Sequence, residues 1–94
     1  MKRIVLDAGK MTDPGSLHAH LAQALALPDY YGANLDALYD CLTELGEDTE
    51  IVVPLQAADA RHLGSYGRQM LLVFKEAAEV NSCLSIEFCG EAER

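Results

Sequence analysis

The triplet Ile51-Val52-Val53 is wholly apolar and bounded by polar residues and a proline. It reads as a short strand covered on both faces, the usual state of a strand inside a parallel sheet. Two other runs can join it. Residues 2–7 (KRIVLD) read as a strand with a buried β-branched centre, closed by Ala8-Gly9, and residues 83–88 (CLSIEF) as a last strand. Each pair of runs is separated by helical sequence long enough for a crossover, so parallel pairing is the economical solution. Right-handed connections then put the helices mainly on one face. The strand order stays open at this level.

The helices declare themselves by spacing. Thr12 and Asp13 are capping candidates, Pro14 suits a first turn, and Leu17, Leu21, Ala24 and Leu25 recur at helical intervals until Leu27-Pro28 stops them. After a loop at residues 29–32, Asn34 is the N-cap of a second helix. Its buried stripe is Leu35, Leu38, Leu42 and Leu45, and Gly46 ends it. Pro54 opens a short third helix running to about Gly64. Met70, Val73, Phe74 and Ala77 mark a longer fourth, from near Ser65 to around Asn81. The expectation is an α/β fold: a three-stranded parallel sheet with about four helices in the order β-α-α-β-α-α-β. With 94 residues, half of them apolar, a modest core is possible. Residues 1–94 read as a single domain, with 90–94 a frayed acidic tail.

Several classes of function are excluded early. No run approaches 18 consecutive apolar residues, so no membrane span is expected. The N-terminus lacks the apolar core and cleavage site of a signal peptide. Cys41, Cys83 and Cys89 are odd in number and lack metal-ligand spacing, which fits reduced thiols in a cytoplasmic protein. Asp40 beside Cys41 disfavours the thiolate a nucleophile needs. His18 and His20, two apart on a helix, point to nearly opposite sides and read as surface residues unable to share a metal. No glycine-rich phosphate loop is present, and no cofactor is implied.

Charge is the informative composition. Residues 29–50 hold seven acids and no Lys, Arg or His, whereas the rest of the chain holds eight acids against seven bases. Of the net −8, then, −7 lies in one segment. That is the reverse of a nucleic-acid binder and points to a basic partner. Asp36, Asp40 and Glu44 fall at i, i+4 and i+8, nearly in line on the second helix, where like charges cost roughly 0.2–0.5 kcal/mol per pair. A solvated acidic face is the plain alternative. Against it, Tyr30, Tyr31 and Tyr39 flank the acids, and tyrosine is enriched where proteins bind each other. A catalytic carboxylate pair would need a cleft and a raised pKa, which an exposed helix face does not supply.

The run LHAHLAQALALPDYYGANLDALYDCLTEL resembles the barstar family of intracellular ribonuclease inhibitors, most closely in the core ALP-x-YYG-x-NLDAL-x-DCLT. The likeness continues more loosely through residues 73–77 and Cys83. What the resemblance implies is a β/α fold whose second helix and preceding loop plug the active site of a basic ribonuclease of the barnase type. Asp40 would then stand where a substrate phosphate binds, Asp36 would meet basic groups of the enzyme, Tyr30 would be the aromatic anchor, and Glu76 on the fourth helix a further charged contact. The full candidate partner-binding set is Tyr30, Tyr31, Gly32 and Asn34 from the loop, Leu35, Asp36, Tyr39, Asp40, Thr43 and Glu44 from the helix, and Glu76. Three departures from the family pattern lie at the rim of this face: Tyr39 where tryptophan is common, Ala33 where an acid is common, and the acidic residues 44–50 in place of an aromatic loop.

The reading is therefore a cytoplasmic, non-enzymatic inhibitor of a basic secreted or toxin ribonuclease, monomeric when free, binding neither nucleic acid nor membrane. An adaptor of the same fold that binds another basic protein without inhibiting a nuclease is the alternative.

Overall fold

The computed structural model describes residues 2–29, 31–58 and 63–90. Strand β1 is Lys2–Val5, helix α1 Pro14–Ala24, helix α2 Leu35–Thr43, strand β2 Thr49–Pro54, helix α3 Ser65–Val80 and strand β3 Leu84–Cys89. Short 3-10 turns at Ala8–Lys10 and Leu55–Ala58 follow the first two strands. The sheet is parallel throughout, in the order β1-β2-β3. Ile4, Ile51 and Ile86 stand in register across it.

The α/β expectation with a three-stranded parallel sheet holds, and among the described residues the α-helix count is one lower. The helix foreseen after Pro54 is a 3-10 turn at Leu55–Ala58, and the remainder of that stretch, residues 59–62, lies outside the described residues. The tail beyond Gly90 lies outside them as well. The order observed is thus β-α-α-β-α-β.

Helices α1, α2 and α3 share one core with the sheet face that carries Ile51 and Val53. Leu17 and Leu21 come from α1, Leu38 and Leu42 from α2, and Met70, Phe74 and Ala77 from α3. Val52 points the other way, between its register partners Val5 and Glu87, and is still only 4% exposed. β2 is covered because it is central. β1 is not: Lys2, Arg3 and Val5 are exposed, Val5 at 63%, so its expected buried centre is corrected to a half-buried Ile4. An edge strand has a neighbour on one side only, and its outer-face residues stay wet. The strand also stops at Val5, because the Asp7 carboxylate accepts from the Gly9 amide (2.9 Å) and caps the following turn.

One close approach sets where α3 lies. A Cβ on Gly67 would sit 2.2 Å from the Ala57 carbonyl oxygen. Only glycine lets the start of α3 pack against the turn after β2.

Candidate partner-binding face

The local start of α2 follows the expected chemistry. Asn34 is the N-cap: its Oδ1 accepts from the Ala37 amide (2.8 Å), and its Nδ2 donates to the Gly32 carbonyl (3.2 Å). Ala33, at φ 55°, turns the chain into the helix through the left-handed region, a conformation that costs a non-glycine residue roughly 1–2 kcal/mol. Asp36 in the first turn favours the helix dipole. Leu35 and Tyr39 are half-buried and rest against the core, as the edge of the leucine stripe requires.

Asp36, Asp40 and Glu44 are all exposed. Among the described residues the one ion pair is Arg3 Nε to Glu50 (3.1 Å), and it lies across the sheet, away from this row. No hydrogen bond within the described residues reaches the Asp40 carboxylate. Its carbonyl, by contrast, accepts from Thr43 Oγ1 (3.0 Å) and the Glu44 amide (3.2 Å). The acids are thus left without internal partners by the described part of the fold.

Tyr31, Gly32, Asp40 and Glu44 are brought together around a cleft of about 340 Å³, completed by Ala37 and Cys41. The other candidates among the described residues do not line it: Asn34 works as the cap, Thr43 bonds back to its own helix, and Glu76 is exposed on α3. Tyr30 lies outside the described residues. Cys41 is half-buried between the acids, and burial, then Glu44, then Asp40 push its thiol pKa up. That is the opposite of nucleophile activation.

Two residues that support the face escaped the sequence reading. His18, expected on the surface, is 3% exposed. Its Nδ1 lies 2.5 Å from the Tyr31 hydroxyl and its Nε2 2.6 Å from that of Tyr66. Burial lowers its pKa below the usual histidine value. Two phenols satisfy both ring nitrogens, which is what lets a polar ring occupy an interior place. His20 is half-buried, and its Nε2 accepts from the Asp7 amide (3.0 Å). Asn81, expected only as the end of α3, donates from Nδ2 to the carbonyls of Leu42 (2.9 Å) and Leu45 (3.0 Å). It thereby satisfies orphan acceptors at the C-terminus of α2. Neither bond is visible in local patterning, because the partners lie 36 and more residues away.

The geometry defines a small parallel α/β protein that presents an uncompensated acidic helix beside a tyrosine-walled cleft. Residues 1–89 match the family model described as "Barstar (barnase inhibitor)". A protein of Bacillus subtilis (strain 168) with the description "Putative ribonuclease inhibitor YrdF" is 40% identical over 81 residues, which cover 84% of this chain and 88% of that relative. The chain belongs to the barstar family. Among the described residues no helix is long and apolar enough to cross a membrane.

Proposed function

We propose that this protein inhibits a basic, barnase-type ribonuclease by inserting the acidic face of α2 into the enzyme's active site. The observation that carries the reading is Asp40: an exposed carboxylate on the rim of a cleft walled by Tyr31, with no partner from the described residues. A ribonuclease must hold phosphate with cationic groups, and a carboxylate held out on a rigid helix can occupy that place. Asp36 and Glu44 extend the negative field on either side, while Tyr30, Tyr31 and Tyr39 exclude water around the ion pairs. Glu76 from α3 and the loop residues Gly32 and Asn34, with Leu35 and Thr43 on the helix, complete the contact surface. Support comes from the family description and from the name of the Bacillus relative.

The charge concentration adds a kinetic advantage. With −7 of the net −8 in residues 29–50, a cationic enzyme is drawn to this face before contact. The protein acts inside the cell, as a monomer, and consumes no substrate of its own.

The test is a fluorogenic RNA-cleavage assay with purified barnase, titrated with the wild-type protein and with Asp40→Ala. Stoichiometric inhibition by wild type is expected. The substitution should cost about 2–5 kcal/mol of binding, since it leaves enzyme cations buried and unpaired, a range to which complexes of this same family contribute. Glu47→Ala and Asp48→Ala should cost far less. Equal losses for all three would remove Asp40 from the centre of the interface, and binding to barnase without inhibition would make the protein an adaptor.

A further inference from the structure

Tyr31 is a wall shared by two cavities. On one side lies the cleft of about 340 Å³ with Asp40, Cys41 and Glu44. On the other lies a cavity of about 580 Å³ lined by His18, Ala22, Leu27 and Asp29 among others. Whatever holds the Tyr31 phenol therefore shapes the cleft from behind. The polar group that holds it is His18, which belongs to α1, and the other nitrogen of that ring is held by Tyr66 in the first turn of α3. The imidazole joins three elements that are distant in sequence. Its ring meets Tyr31 at a centroid distance of 5.7 Å and Tyr66 edge-on at 6.0 Å.

We propose that His18 and Tyr66 are positioning residues for the partner-binding loop: the imidazole, anchored through Tyr66 to α3, fixes Tyr31 as the wall of the cleft that carries Asp40. The proposal rests on the reading of that cleft as the partner-binding face. An apolar side chain at position 18 could fill the space, but it could not orient the phenol.

The choice of histidine has a further consequence. A neutral imidazole carries one N–H and one lone pair, so one tyrosine accepts from the ring and the other donates to it. Protonation turns both nitrogens into donors, and the phenol that donated must turn its hydrogen elsewhere. Among the described residues, the titratable groups around the ring are Tyr31 and Asp29 from the loop, Cys41 of α2 behind Tyr31, and Tyr66 of α3. Asp29, the one carboxylate among them, is exposed and offers little to a buried imidazolium. Burial makes His18 harder to protonate than a free histidine. A base with a lowered folded pKa keeps its full contribution above the unfolded value near 6.5. It loses that contribution as pH falls from there toward the lower folded value. In the folded protein the pairing that fixes Tyr31 is therefore complete at neutral pH, and it rearranges only where the buried imidazole itself takes up a proton, below the ordinary histidine range.

The experiment uses barnase as the probe and compares wild type with His18→Gln and Tyr66→Phe at pH 8. Tyr66→Phe keeps the ring and its volume and removes one hydrogen bond, so it serves even if His18→Gln folds poorly. At pH 8 each variant should raise the inhibition constant about five- to ten-fold, the value of one lost hydrogen bond in an ordered interior. Variants that inhibit like wild type would overturn the proposal. Without any ribonuclease, amide NMR signals of residues 31–34 should broaden in both variants. Broadening in the variants of a wild-type protein that fails to inhibit barnase would keep the loop device and remove the ribonuclease reading. Sharp, unshifted signals would remove the device.

Discussion

Replacing Asp40 by Asn removes one charge and almost no volume, and the structure says what that should do. Asp40 stands four residues after Asp36 and four before Glu44, all three are exposed, and the described residues give its carboxylate neither an ion pair nor a hydrogen bond. It therefore belongs to two like-charge pairs, each costing about 0.2–0.5 kcal/mol at low salt. It also sits in the later half of the nine-residue α2, beyond the first turn where a negative charge favours the dipole. Asn and Asp have similar helix propensities. The free protein should gain about 0.4–1 kcal/mol on Asp40→Asn. In urea titrations followed by far-UV circular dichroism this is a midpoint rise of roughly 0.3–0.7 M at an m-value near 1.5 kcal/mol/M. The gain should shrink in 0.5 M salt, where exposed charges are screened. The same variant should inhibit barnase much less well, the trade expected where a repulsive arrangement is kept for binding. A loss of stability of 1 kcal/mol or more would refute the reasoning, because it would mean that the carboxylate has a partner within its own fold.

Other consequences are as direct. Gly67→Ala should destabilise by about 1–3 kcal/mol, because its methyl group would meet the Ala57 carbonyl and force α3 off the turn; a melting curve within a degree of wild type would contradict that packing. Asn81→Ala leaves the Leu42 and Leu45 carbonyls without their donor and should cost about 1–3 kcal/mol in chemical denaturation. If α2 is the binding helix, it should weaken barnase binding as well. Association with barnase, measured by stopped flow, should approach ~10⁸ M⁻¹s⁻¹ at low salt and fall steeply as salt is added, while dissociation changes little. A salt-independent on-rate would count against steering by the acidic segment, though not against inhibition.

Features that depend on neighbours in the chain were readable from the amino-acid string. Asn34 and Asp13 cap helices by bonding to amides three residues on, and an N-cap residue followed by periodic leucines states this without any tertiary information. The leucine stripe of α2, the acid row and the parallel pairing of short apolar runs belong to the same class, since each rests on spacing or on the length of a crossover. The barstar resemblance was carried by a continuous run, and so it too was legible.

Tertiary closure decided the rest. Nothing in residues 2–7 says that they will lie at the edge of the sheet, where Val5 stays exposed while the equally apolar Val52 in the centre is covered. Gly67 is an unremarkable residue early in a helix until Ala57 arrives against it. Histidine at position 18 reads as polar and therefore outside, yet two hydroxyls from positions 31 and 66 make the interior tolerable to it. Asn81 reaches a helix end 36 to 39 residues back. The physical reason is common to all of them. Burial of a polar group, or of a missing side chain, is favourable only when particular partners from elsewhere in the chain are already in place, and a pattern of neighbours carries no record of who those partners are.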